Sequence, residues 1–358
     1  MNKSVRIALA LILAALTSSI CAAEKLGSTF DEIVAAARRE GKLIAFTQFP
    51  AAASHKAIND AYNQRFGLTT QIEWTPITAT TAGTRALSES AGGALGIDLI
   101  GFGSFEEVRT LVDAKLLKPY PWTKVFGSTF REMSRLEAMI VPEFRGMALP
   151  HTEVAYVLSW NPQSIKDEEV PGRLADFGDP KWKGKIAMNA FSMEPLSILS
   201  LGRGEKETIE LARRIMDNKP VLGRGSASVN QSIVSGQVLF GTDITLTAQR
   251  AVNSKQPLKF KMFSDYIPLT ITYMYTPEGA PNPNNARLFI AWLANEGYKI
   301  AKTHEVYPSP IDPDSQFRKM ADQQVASGAK IMKANSVKDI DQMRRVRTAV
   351  NEMLTGNR

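Results

Sequence analysis

Apolar positions recur at helical spacing in one stretch and as short continuous runs in the next. Thr29 followed three residues later by Glu32 is a capping-box pattern, and Phe30, Ile33, Val34 and Ala37 then repeat at helical spacing up to Gly41. Leu43 to Phe46 is an apolar run of strand length, Ala51 to Arg65 reads as a helix stopped by Phe66-Gly67, and Gln71 to Trp74 is the next strand. A threonine-rich loop, Pro76 to Thr81, leads to a helix over Thr84 to Ser90, a strand over Ile97 to Ile100 and a helix over Phe105 to Lys115. Strands alternating with helices predict an α/β fold: a parallel sheet covered by helices, with ligands bound beyond the carboxyl ends of the strands.

The pattern restarts later. Lys185 to Met188 reads as a strand, Ala190 to Ser192 as a loop and Glu194 to Leu201 as a helix; Glu205 to Asp217 and Ser226 to Val234 are helical, and Val238 to Phe240 is a strand. Two similar lobes are therefore expected. In the tail, Val337, Ile340, Met343, Val346 and Val350 recur at helical spacing with arginines between them, as in an amphipathic helix.

The first residues read differently. Lys3 and Arg6 precede an unbroken apolar run, Ile7 to Leu16, and Cys21-Ala22-Ala23 supplies small residues for cleavage. That is the pattern of a secretory signal over residues 1–23, its apolar run shorter than the roughly 20 residues of a membrane span. Bulky Ile20 directly before Cys21 argues against lipid attachment there. Cys21 is the only cysteine in the chain, so a cleaved protein has neither thiol nor disulfide chemistry. The composition, 44% hydrophobic and 22% charged, is that of a chain able to bury a core. The net charge of +7 is scattered without a basic run, which argues against a nucleic-acid partner.

Several words in the chain resemble a known family. Glu40-Gly41-Lys42-Leu43-Ile44 and Asp98-Leu99-Ile100-Gly101 are similar to the opening and third strand of extracellular solute-binding proteins of iron-type ABC importers. Leu174-Ala175-Asp176-Phe177-Gly178-Asp179-Pro180-Lys181-Trp182-Lys183-Gly184-Lys185-Ile186 resembles that family's entry into its second lobe. The stretch from Gly279 to Ile290 and Val306-Tyr307-Pro308 resemble its later landmarks, so the likeness runs from about Glu24 to Pro310.

The resemblance implies a bilobal type 2 periplasmic binding protein, two Rossmann-like lobes joined by hinge strands near Tyr156 to Trp160 and Phe260 to Pro268. Residues 24–155 and 267–310 would form one lobe, 156–266 the other, and 311–358 a helical segment packed on the second. It also implies a periplasmic monomer without cofactor that closes on a small-molecule ligand and delivers it to the membrane permease subunits of an ABC importer. The ferric branch uses two tyrosines, a histidine and a glutamate, and this chain departs at each place. Gly236 to Thr247 has no tyrosine, Thr47-Gln48-Phe49-Pro50 no histidine, and Gly103 stands about where the glutamate would be. Ferric iron in a non-tyrosine, anion-assisted site is the alternative.

The remaining strand-end residues suggest a hydrogen-bonding cradle for an anionic or polar organic molecule: Thr47, Gln48, Thr80, Thr81, Gly103, Ser104, Ser192, Arg224, Ser226, Asp243 and Tyr273. Ser104, Ser192 and Ser226 stand where helices begin, so their hydroxyls and the amides behind them can hold an oxyanion, or simply cap. Arg224 between Gly223 and Gly225 can grip an oxyanion bidentately, and Asp243 can orient a donor or cap a turn. Phe49, Phe102 and Tyr273 offer an aromatic wall or complete the core. His55, His151 and His304 show no metal spacing. The Gly-x-Gly fragments at Gly101, Gly202 and Gly223 lack a third glycine, and no G-x-S-x-G elbow occurs. A secreted enzyme on the same bilobal fold is thus the lesser alternative.

Overall fold

The computed structural model describes residues 25–356, so the expected leader and Cys21 lie outside the described residues. Helix α1 (Phe30–Glu40) starts as its sequence requires, with the Thr29 hydroxyl accepting the Glu32 amide at 3.3 Å, and ends at Gly41 with φ 62°. There follow β1 (Lys42–Phe46), α2 (Ala52–Phe66), β2 (Gln71–Thr75), α3 (Ala79–Ala91), β3 (Leu99–Gly103) and α4 (Phe105–Asp113). After two short helices, Trp122–Phe126 and Met133–Ala138, come β4 (Leu149–Trp160), β5 (Ile186–Asn189), α5 (Leu196–Arg203), α6 (Glu205–Asp217) and β6 (Val221–Gly223). The chain continues through α7 (Ser226–Val234), β7 (Phe240–Ile244), α8 (Thr245–Asn253), β8 (Lys259–Lys261) and β9 (Tyr266–Tyr275). It closes with α9 (Pro283–Trp292), α10 (Gln316–Ala326), β10 (Lys330–Met332) and α11 (Val337–Thr355).

Three elements differ from the sequence reading in ways that matter for the site. Helix α3 begins five residues earlier than the spacing predicts, because the Thr78 hydroxyl accepts the Thr81 amide and caps it. Thr80 and Thr81 therefore lie in its first turn and not in a loop. Strand β3 starts at Leu99, after Asp98, whose carboxylate holds the Ile44 amide at 2.7 Å and the Asn282 amide at 2.6 Å, and it runs on to Gly103. Strand β7 covers Phe240 to Ile244, whereas the apolar run suggests 238–240. Gly241 and Thr242 are buried within it, and a Cβ on Gly241 would stand 2.4 Å from the Ala187 carbonyl oxygen.

The strands form one hydrogen-bonded path, β2-β1-β3-β9-β4-β7-β5-β6, with β8 on β4 and β10 on β9. Pairs β1–β2, β1–β3, β5–β6 and β5–β7 are parallel, and the central pairs are antiparallel. Strand β4 changes partner midway: Leu149 to Ala155 pair with β9, and Tyr156 to Trp160 with β7. Helices cover both faces of each half. In the first half Leu43, Leu99 and Phe289 pack on one face and Ile100, Val108 and Leu111 on the other. In the second half Phe177, Ile186 and Phe240 pack on one face and Val157, Ala187 and Val229 on the other. Helix α11 enters both halves: Ile340 lies with Val108 and Leu111, while Val346 and Val350 lie with Leu196 and Leu211.

Candidate functional site

The carboxyl ends of β1 and β3 carry the first-half candidates. Thr47 is buried and its hydroxyl donates to the Phe49 carbonyl at 2.6 Å, so it fixes the turn, while Gln48 is exposed. Phe49 is enclosed by Phe102, His151 and Tyr307, with centroids 5.6, 5.6 and 4.8 Å away. Phe102 is left-handed at φ 61°, a conformation that costs a side chain about 1–3 kcal/mol and clusters at functional sites. Gly103 has no room for a side chain, since a Cβ would lie 2.5 Å from the Tyr275 hydroxyl.

Ser104 caps α4, and a carboxylate of the chain already occupies that position. The Ser104 amide and hydroxyl both donate to Glu107, whose other oxygen accepts the Thr80 hydroxyl at 2.8 Å. Thr81 shares a hydrogen with Thr78 at 2.8 Å. Of the three helix starts expected to hold an oxyanion, this one is filled by Glu107. Tyr273 is fully buried, its ring 4.7 Å from Phe105 and its hydroxyl without a partner among the described residues, so it belongs to the core between the sheet and α4.

Beyond β5, Ser192 and Met193 are left-handed at φ 60° and 49°, the second-half counterpart of Phe102. Phe191 beside them is exposed at 65%, the most open of the large apolar side chains described. Ser192 is buried and donates to Asn351 of α11 at 3.0 Å. Beyond β6, exposed Arg224 precedes Gly225 at φ 91°, and Ser226 is the first helical residue of α7, not its cap. No side chain caps α7 and no acidic residue stands in its first turn, so this helix start is open to an anion. Asp243 sits inside β7, fully buried, accepting the Ile244 amide at 2.7 Å, the Thr247 hydroxyl and the Asn230 amide at 3.0 Å. Burial pushes its carboxyl up to about 7 against those hydrogen bonds.

Strand β4 runs from the first half-sheet into the second, and the boundary between the halves forms a seam. Charged side chains that no local spacing could reveal span it. Arg347 of α11 pairs with Glu106 of α4 on one side and Glu194, just before α5, on the other. Glu194 is buried and also accepts the Ser197 hydroxyl at 2.6 Å. Burial works against the Arg347 charge, but Glu194 and Glu106 outweigh it and hold its pKa above the ordinary arginine value. Arg250 of α8 reaches Glu305 at 2.7 Å and lies over the Phe49 ring at 5.4 Å. Buried His151 bonds the Tyr307 hydroxyl at 2.7 Å, and burial lowers its pKa to about 3, so it is neutral. Among the described residues no three His, Cys, Asp or Glu side chains gather as a metal centre requires. A cavity of about 330 Å³ lies along the crossing strands beside Glu153, Leu269 and Arg318 and contains none of the strand-end residues.

Residues 57–315 match the family of bacterial extracellular solute-binding proteins. Iron uptake protein A1 of Synechocystis is 23% identical over 192 residues, 48% of this chain and 53% of its own. The chain thus spans about half the length of the curated relatives it matches. Among solved structures, iron-bound HitA of Pseudomonas aeruginosa superposes with a TM-score of 0.65 at 18% identity, over 85% of this chain and 99% of that one. The spermidine/putrescine ABC transporter substrate-binding protein PotD of Streptococcus pneumoniae superposes with 0.58 at 15% identity, over 86% and 99%. No helix among the described residues is long and apolar enough to cross a membrane.

Proposed function

The chain belongs to the bacterial extracellular solute-binding proteins, and on that premise we propose that it captures a small solute, an anionic or polar organic molecule, in the seam and delivers it to the permease subunits of an ABC importer. Residues 24–155 and 267–310 act as one lobe and 156–266 as the other, as a monomer in the periplasm after cleavage near Ala23. The observation that carries the reading is the partner change of β4 between Ala155 and Tyr156. On this reading two helix-covered half-sheets share β4, which bends between them, and the solute is held where their strand ends come together. A solute touching both sides stabilises the closed form by its differential affinity. Retention needs only micromolar affinity, about 8 kcal/mol, which a few polar contacts supply without covalent chemistry. On this proposal the protein is a carrier that returns its solute unchanged, and not an enzyme.

Arg224 and the uncapped start of α7 give the second lobe its oxyanion position, with Gln48 exposed at the rim of the first lobe. Ferric iron is the second reading, favoured by the names of the iron-uptake relatives. Against it, β7 and the residues after it offer Thr242, Asp243, Ile244 and Thr245, and Asp243 is already engaged by three donors. Native mass spectrometry of protein purified without added ligand decides between them. The expected result is a non-covalent organic mass, recovered unchanged after denaturation and weakened at least tenfold by Arg224→Gln. A bound iron ion, or a chemically altered product, would overturn it.

A further inference from the structure

Helix α11 is fastened on both sides of the seam. Toward the first lobe it buries Ile340, pairs Asp341 with Arg109 at 2.6 Å and gives Arg347 to Glu106. Toward the second lobe it buries Val346 and Val350 and pairs Arg345 with Glu205. On that side the Gln342 amide also donates to the Ser200 carbonyl at 2.6 Å, Asn351 accepts from Ser192, and Arg347 binds Glu194. A rigid helix of 19 residues tied at both ends cannot follow two lobes moving apart. The first-lobe set is one buried apolar side chain, Ile340, and two ion pairs in partly exposed positions, fewer anchors than the second-lobe set and the ones that give way. The second-lobe set includes two buried valines and the enclosed carboxylate of Glu194. Glu106 is also incompletely satisfied: its Oε1 is buried and has no hydrogen-bond donor among the described residues.

We propose that α11 is a strap across the seam, and that Arg347 is the positioning residue whose exchangeable pair with Glu106 sets how readily the lobes part. The inference rests on the two-lobe reading above. When the seam opens, α11 stays with the second lobe, Arg347 keeps Glu194, and Glu106 is released to water. Weakening the pair raises the open fraction, and apparent solute affinity falls in proportion to the remaining closed fraction.

The test is single-molecule energy transfer on the full chain in a Cys21→Ser background, with dyes at Lys56→Cys and Lys183→Cys, one exposed position in each lobe. Glu106→Gln and Arg347→Met should each raise the low-transfer, open population at least threefold without solute, and Arg347→Lys should restore it toward the unmodified value. Because the pair is ionic, 1 M NaCl should open the unmodified protein more than it opens Glu106→Gln, which keeps only the Asp341–Arg109 and Arg250–Glu305 pairs for salt to weaken. Unchanged transfer in both variants, even with a lowered melting temperature, would reduce Arg347 to a structural residue and overturn the strap. So would an Arg347→Lys that behaves like Arg347→Met. A protein that responds to bound solute but not to these variants loses only the strap. One that shows a single population under every variant, salt and solute loses the two-lobe reading as well.

Discussion

At the residue scale, Thr47, Gln48 and Ser104 stand where the sequence places them, whereas Thr80 and Thr81 lie in a helix and Asp243 and Tyr273 inside strands. Ser104 was readable as a helix start, yet the side chain that fills it, Glu107, needed only the capping-box spacing to be seen. Arg347 and Glu194 lie 153 positions apart, and no local pattern joins them. Asp243 yields a pH prediction. Its folded carboxyl is raised from an ordinary 3.8 to about 7, chiefly by burial. The stability it allows is present below pH 4 and is lost as pH rises through about 7, since the unfolded chain releases that proton first. Asp243→Asn should flatten the profile, so that its unfolding free energy from urea titration, relative to the unmodified protein, rises between pH 4 and 7 by about 1–3 kcal/mol. A constant difference over that range would show that the carboxyl titrates normally. Gly103→Ala, which sets a methyl against the Tyr275 hydroxyl, should cost about 1–3 kcal/mol in thermal unfolding. Adding Tyr275→Phe should recover only part, because the ring carbon Cε1 is also close, at 2.8 Å.

At the element scale, the helices with a single apolar stripe were the most readable. Helices over 205–217 and 226–234 fall where the spacing places them, because one face packs and the other is wet. Strands buried on both faces were harder, since Gly241 and Thr242 give no apolar run although β7 is central in the sheet. The three-residue strands β8 and β10 are too short to leave a pattern and exist only through pairing with β4 and β9. The stripe of α11 was readable, but one stripe cannot say that Ile340 and Val350 enter different cores. Truncation separates those roles: Ile340→Ala should cost roughly 2–4 kcal/mol by denaturant unfolding. A loss below about 1 kcal/mol would mean that the start of α11 is not anchored in the first lobe.

At the scale of the whole molecule, the order of strands and helices indicated two similar α/β halves, and the seam between them follows from that order. What the sequence withheld is how the seam is held. Arg250 to Glu305 and Arg347 to Glu106 cross it from the second-lobe helix α8 and the terminal helix α11. Both are side-chain contacts, which bending strands can make and break without unfolding either core. Secretion is tested at this scale too: the mature protein recovered from the periplasm should begin at Glu24, read by N-terminal sequencing, and a chain retaining Lys3 and Arg6 would refute cleavage. The central claim is closure around a dissolved guest, and small-angle X-ray scattering with and without the solute identified by mass tests it most directly. Saturating solute should shrink the radius of gyration and sharpen the profile toward a single compact body. Identical profiles, with stoichiometric binding confirmed by calorimetry, would contradict it.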